Sequence, residues 1–126
     1  MKNNWIKVAA ILGALGVGLG AFGAHALKDM LAQNEMTETF KTAVNYHFYH
    51  VFALLFTAIL TNEHNFKTLR AAAYVFIIGI ALFSGSLYAM CFTGIKMLGI
   101  ITPLGGLAFI AGWLLLFWSF HKKPTS

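Results

Sequence analysis

Charged residues are scarce in this chain, and acidic residues are the scarcest. Only four of the 126 residues are Asp or Glu, against nine Lys or Arg, and charged residues make up 10% of the chain. Soluble domains carry about a quarter charged residues. Because 59% of the residues are hydrophobic and the mean hydropathy is +0.72, only lipid could shield so much apolar surface. The composition excludes an ordinary soluble domain and indicates a membrane protein.

Cysteine is almost absent, which excludes several kinds of chemistry. Cys91 is the single cysteine, so the chain can form no internal disulfide and has no CxxC metal or redox motif. We interpret Cys91, within a hydrophobic run, as a small apolar filler. The chain also has no Walker, Rossmann, HExxH or nucleophile-elbow pattern, and no acid–base or nucleophile pair. We therefore expect that the protein is not an enzyme and uses no cofactor.

Four long apolar segments account for most of the chain. Each crossing of a hydrocarbon core needs roughly 20 apolar residues, and the segments at about 5–27, 42–61, 71–93 and 98–120 satisfy this requirement. Their apolar runs are continuous, which excludes the alternating strands of a β-barrel. The predicted fold is an all-α bundle of four transmembrane helices in up-down-up-down order, forming one domain over residues 1–126.

The first segment also has some features of a signal peptide. Lys2 and Lys7 precede the apolar run, and Ala24-His25-Ala26 fits a small-x-small cleavage site. The run is longer than a typical apolar region of roughly 7–15 residues. We therefore expect a retained helix.

Small residues form a continuous arc on the first segment. The arc consists of Ala9, Gly13, Gly16, Gly20, Gly23 and Ala24. Small residues let two helices approach closely in a bilayer, so we expect the arc to be the packing spine of the other helices, inside the bundle or between protomers. A second small-residue seam is predicted on the third segment at Ala81, Gly85 and Ala89.

The 28–41 stretch is the only long polar part of the chain. It holds Asp29, Glu35 and Glu38 among scattered apolar residues. We expect short helical pieces on the membrane surface, with Thr37 as an N-cap and Glu38 in the first turn.

Lysine and arginine predict the orientation. The side with both termini carries Lys2, Lys7, Lys67, Arg70, Lys122 and Lys123. The other side carries Lys28, Lys41 and Lys96. Because cytoplasmic loops are enriched in these residues, we expect both termini in the cytoplasm. The charges are scattered at segment ends, which argues against a nucleic-acid partner.

Several polar side chains fall at a similar depth, in the outer third of the membrane. This polar layer consists of His25, Tyr46, His47, His50, Ser84, Tyr88 and Thr102. One interpretation is ordinary hydrogen bonding between helices. A second is a proton or cation site in a small transporter or channel. A third is a metal or haem site on His25, His47 and His50. No acidic residue within the segments offers a charge partner, which favours the first.

Five stretches resemble a known family. They are GALGV at 13–17, GAFGAHAL at 20–27, TAVNYH at 42–47 with His50, LFSGSLY at 82–88, and ITPLGGLAF at 101–109 with Gly112 and Trp113. They are similar to the small four-helix membrane proteins of domain of unknown function 423, related to the transmembrane protein 256 family. The resemblance implies a bacterial inner-membrane protein. It implies no activity and carries over no catalytic or binding residue.

Taken together, these observations predict a structural, interaction or lipid-contacting protein of the bacterial cytoplasmic membrane. We expect a homo-oligomer embedded in the lipid bilayer, and the sequence specifies no small-molecule ligand. The transporter or channel and the metal- or haem-binding protein stay open as alternatives.

Overall fold

The computed structural model describes residues 2–64 and 66–121, and every regular element in these ranges is helical. Four stretches are long and apolar enough to cross a membrane. These spans are Asn4–Ala24, Thr37–Glu63, Lys67–Thr93 and Lys96–His121. The expected all-α architecture with four transmembrane helices is confirmed.

Six α-helices and two irregular turns make up the described ranges, and all of them except the short helix that connects the first two spans belong to these spans. The helices are α1 (Lys2–Ala24), α2 (Lys28–Gln33), α3 (Thr37–Glu63), α4 (Lys67–Gly79), α5 (Gly85–Thr93) and α6 (Thr102–His121). A π-helical turn, Ile80–Ser84, joins α4 to α5, and a 3-10 helix, Lys96–Ile100, precedes α6. The third span is therefore not one regular helix.

The start of α3 differs from the expected one. The helix runs unbroken from Thr37, so Thr37 is its first residue and not its N-cap; the N-cap is Met36, which makes no side-chain capping bond. The end of α2 fixes the turn instead. Glu35 adopts a left-handed conformation with φ 56°, and the Met36 N–H donates to the Leu31 carbonyl at 2.8 Å. This bond is typical of a Schellman motif, so backbone capping of α2 sets the boundary.

The small-residue arc of α1 packs against α3. In order, Gly13 faces Val51, Gly16 faces Phe48, Gly20 faces Val44 and Gly23 faces Phe40. Residue numbers rise along α1 as they fall along α3, so the two helices are antiparallel. The glycines of the arc thus lie within the bundle, whereas Ala24, the last residue of α1, is exposed.

α4 and α6 are antiparallel by the same criterion. Near the start of α4, the hydroxyls of Thr68 and Ser119 are 2.6 Å apart. Near its end, Gly79 receives the ring of Phe109, which occupies the space that a Cβ would need. α3 and α4 also pack together. The bundle therefore has the expected up-down-up-down order, and α1 and α6 lie at its two flanks.

The centre of the bundle is formed by α3 and α4, which corrects the expectation that the first segment is the packing spine. In the most apolar window of the first span 11% of the residues are buried, against 44% in the second and third spans. The core cluster draws mainly on Ala53, Leu54, Ala72 and Phe76, with Ala9 from α1. A face of glycines allows close contact with one helix, but its small side chains cannot reach several neighbours.

The π-helical turn interrupts the predicted Ala81, Gly85 and Ala89 seam. Its wider turn breaks the regular four-residue spacing on which that seam depends. Ala81 is exposed, and a Cβ on Gly85 would meet nothing closer than the Ile80 carbonyl oxygen at 3.9 Å. Ala81 and Gly85 therefore make no close helix–helix contact in the described part of the chain.

We predict that Gly105→Ala destabilises the bundle much more than Gly106→Ala. A Cβ on Gly105 would overlap the Phe83 backbone in the π-helical turn, and backbone cannot move aside as a flexible side chain can. A Cβ on Gly106 would lie 3.9 Å from the Phe83 ring, an ordinary contact. Overpacking typically costs about 1–3 kcal/mol. Unfolding in mixed detergent micelles measures the difference, and equal stability of the two variants would contradict it.

Candidate functional site

The polar side chains of the predicted layer lie in several small groups within the bundle. His47 contacts Tyr88, whereas His50 contacts Trp113. Ser84 bonds the backbone of α3, and Thr102 pairs with Ser86. Each group joins different helices, so its chemistry follows from its own partners.

His47 is the centre of a hydrogen-bonded bridge across three helices. Its side chain is buried, with Nε2 2.7 Å from the Leu12 carbonyl oxygen of α1 and Nδ1 2.8 Å from the Tyr88 hydroxyl of α5. A carbonyl oxygen can only accept, so Nε2 carries the hydrogen. Nδ1 of the neutral ring then accepts from Tyr88. His47 on α3 thereby ties together α1 and α5.

His50, one turn further along α3, holds the opposite tautomer. Its Nδ1 lies 2.8 Å from the Tyr46 carbonyl oxygen and donates to it, while its Nε2 accepts from the Trp113 indole N–H at 3.0 Å. An indole can only donate, so the assignment is unambiguous. The imidazole also stacks on Phe109, with ring centroids 3.5 Å apart and planes 5° apart. His50 therefore attaches α6 to α3.

The π-helical turn brings Tyr88 to His47. Tyr88 follows Phe76 by twelve residues, which would place the two roughly 120° apart on an unbroken α-helix. A π-helical turn absorbs one extra residue, which reduces that angle to about 20°. Tyr88 consequently shares the inward face of Phe76, and its hydroxyl reaches α3.

Two serines link the third span to its neighbours. Ser84 is fully buried, and its hydroxyl donates to the Ala43 carbonyl of α3 at 2.7 Å. Ser86 lies 2.5 Å from the Thr102 hydroxyl at the start of α6 and 2.9 Å from the Phe83 carbonyl oxygen. The bonds of Ser84 to Ala43 and of Ser86 to Thr102 are of the interhelical kind that small hydroxyl side chains make in membranes.

The polar side-chain atoms of two members of the predicted layer take no part in these groups, although the Tyr46 carbonyl oxygen accepts from His50. His25 is exposed in the turn after α1. Tyr46 is 40% exposed; its ring lies 4.7 Å from that of Phe83, and its hydroxyl makes no hydrogen bond in the described part of the chain. In the described ranges, 2–64 and 66–121, no three His, Cys, Asp or Glu side chains are placed to hold a metal ion. The structure therefore does not assemble the three-histidine set of His25, His47 and His50.

Polar atoms in the interior all have partners. Among the described residues, no buried side-chain nitrogen or oxygen lacks a hydrogen bond. Two of the partners, Trp113 and Ser86, were not among the candidate residues. Trp113 carried a usable signal, because a Trp in the middle of an apolar span needs an acceptor for its N–H. The sequence gives no such reason to select Ser86, because the π-helical turn that orients its side chain is not visible in the hydrophobic pattern.

The chain is similar in sequence to several known membrane proteins. The family model described as "Protein of unknown function (DUF423)" matches residues 19–106. A UPF0382 membrane protein of Staphylococcus haemolyticus is 42% identical, over 93% of this chain and 98% of its own. One of Bacillus subtilis is 43% identical over 88% and 94%. A UPF0382 inner membrane protein of Escherichia coli is 35% identical over 86% and 82%. No solved structure matches the chain.

We predict that Tyr88→Phe destabilises the protein, whereas Tyr46→Phe leaves its stability nearly unchanged. The first variant deprives the buried His47 Nδ1 of its donor, which typically costs about 1–3 kcal/mol. The second removes a hydroxyl that has no partner in the described ranges. Detergent unfolding of both variants measures the effect. In the His47→Ala background Tyr88→Phe should cost far less, and an undiminished loss there would refute the bridge.

Proposed function

The chain belongs to the family of proteins of unknown function DUF423, and we propose for it a non-catalytic structural or interaction role in the bacterial cytoplasmic membrane. It is an integral membrane protein, as its apolar spans and the names of its relatives agree. Within this role the histidines, tyrosine and serines of the interior hold the helices in one arrangement, and the outer surface contacts lipid and other proteins.

One observation carries the proposal: the buried polar atoms of the described residues satisfy one another. A transport or ligand site needs groups free to bind a passing molecule. Here both nitrogens of His47 and both of His50 are already hydrogen-bonded within the bundle. The same saturation supports a protein that is not an enzyme, because both buried histidines of the described residues already have partners for their two ring nitrogens.

Self-association is part of the proposed role. α1 and α6 lie at the two flanks, and the first and fourth spans bury 11% and 17% of their apolar windows. A bundle of this shape leaves long helix faces that meet either lipid or another protein. We infer that the protein forms a defined homo-oligomer in the bilayer.

The proposed orientation places both termini in the cytoplasm. Lys7, Lys67 and Arg70 lie at one end of the bundle, and Lys28, Lys41 and Lys96 lie at the other. Lys122 and Lys123, which complete the expected excess, fall outside the described residues, and so does the side chain of Lys2. The asymmetry of the whole sequence supports an inside location of both termini. The name of the Escherichia coli relative supports the inner membrane.

We expect the protein released from mild detergent to have one defined oligomeric mass with no stoichiometric metal or haem. Native mass spectrometry reads the assembly and any bound mass together.

In proteoliposomes, fluxes of protons, sodium and potassium should match those of protein-free vesicles, because the polar interior is saturated. A flux that disappears in Tyr88→Phe, with the variant still folded, would replace the structural role by transport. A bound metal lost in His47→Ala would replace it by metal binding.

Reporter fusions test the orientation. A green fluorescent protein fused after residue 126 should fluoresce, because it folds on the cytoplasmic side. Alkaline phosphatase inserted between α5 and α6, next to Lys96, should be active, because it is exported there. The reciprocal fusions serve as controls, and the opposite pattern would reverse the proposed topology.

A further inference from the structure

The outward face of α3 carries polar groups that the bundle does not use. We define the α3 polar face as Asn45, Tyr46 and Tyr49, which lie within one turn of one another. All three are exposed, Tyr49 to 56%. The Asn45 carboxamide and the two tyrosine hydroxyls make no hydrogen bond within the described part of the chain. In this they differ from the fully bonded polar atoms of the interior.

The depth of this face makes the missing partners costly. α3 has 27 residues, a length of about 40 Å that exceeds the roughly 30 Å hydrocarbon core. Measured from the midpoint of α3, Asn45 lies about 7.5 Å and Tyr49 about 1.5 Å along the axis. Both positions fall inside the hydrocarbon region if α3 is centred in it. A carboxamide there meets no water, so leaving it without a hydrogen bond is unfavourable.

We propose that the α3 polar face is the contact between two copies of this chain in the membrane. This rests on the proposed self-association and names the surface that performs it. Copies inserted with the same topology present this face at the same depth. A carboxamide both donates and accepts, so Asn45 of one copy can bond Asn45 of the other across a two-fold axis. Hydrocarbon chains offer no group that could do so.

The shape of the neighbouring surface fits this partner. A groove of about 160 Å³ opens between α1 and α3 beside Asn45, and its lining includes Gly20, Gly23 and Val44. It has room for a side chain projecting from a second copy. Outside this groove the glycine arc of α1 is covered by α3 side chains such as Phe48, so the arc is not available as the main contact between copies.

Disulfide crosslinking in bilayers tests the contact while keeping its polar residues intact. The reporter is Phe52→Cys in a Cys91→Ala background, because exposed Phe52 lies on the same face as Asn45 and Tyr49. Matched reporters at Ala14→Cys on α1 and Leu107→Cys on α6 are also exposed. With copper phenanthroline as oxidant and at high dilution in lipid, the Phe52 reporter should form dimers at least about fivefold faster than either control.

A second substitution then tests the carboxamide itself. Asn45→Leu, added to the Phe52 reporter, should reduce crosslinking about fivefold, whereas Asn45→Gln should retain much of it and the control Ile110→Leu, on the exposed surface of α6, all of it. Because residue 45 is exposed, the Leu variant should unfold like its parent, and detergent unfolding verifies this.

Three results would overturn the proposal. The first is equal crosslinking at all three reporters. The second is crosslinking at the Phe52 reporter that Asn45→Leu does not reduce. The third is a bound phospholipid mass that Asn45→Leu removes while crosslinking stays unchanged. The last would assign the face to lipid. If native mass spectrometry still reports an oligomer in these cases, self-association stands and only the assigned surface fails.

Discussion

Lipid offers no hydrogen-bond partners, and this constraint governs the arrangement of the bundle. A polar group inside the hydrocarbon must find its partner within the chain or, as proposed for the α3 polar face, on a second copy. α3 meets the requirement from the centre: His47 bonds the Leu12 carbonyl and Tyr88, and His50 bonds Trp113. These directional bonds tie the flanking helices to the centre in addition to the packing contacts that α1 makes with α3 and α6 makes with α4. Packing supplies the contact area, and the histidines fix which rotation of each helix is allowed.

Close packing depends on aromatic rings that lie against glycines. Phe48 rests on Gly16, Phe76 rests on Gly112 and Phe109 covers Gly79, in each case where a Cβ would stand. This pairing lets large rings fill the space between helices whose backbones are near each other. Phe109 serves two purposes, since the face of its ring also stacks on His50. The same contacts that bring α4 and α6 together thus bury the imidazole and protect its bonds from water.

The sequence predicts the spans well because transfer into lipid depends on composition over about 20 residues, and composition is directly readable. It also places His47, His50, Ser84 and Tyr88 at a common depth, since rise per residue is constant. A common depth along the helix axes does not specify the direction in which each side chain points, however. The π-helical turn rotates everything after Ser84, so neither the Ser86 contact nor the failure of the Gly85 seam follows from a regular periodicity. The sequence does not predict the start of α3 either, because Glu35 adopts a left-handed backbone conformation at a position where glycine would be the usual residue.

The two histidines, although one turn apart on α3, are not equivalent. The partner of His47 Nδ1 is a hydroxyl, which can rotate to accept as well as donate, so that site accommodates either protonation state of the ring. The partner of His50 Nε2 is the Trp113 N–H, which can only donate, so a second proton on His50 would set two N–H groups against each other. His50 is therefore a fixed structural link. Of the two imidazoles, His47 is thus the one whose side-chain partner, the Tyr88 hydroxyl, can reverse the direction of its hydrogen bond.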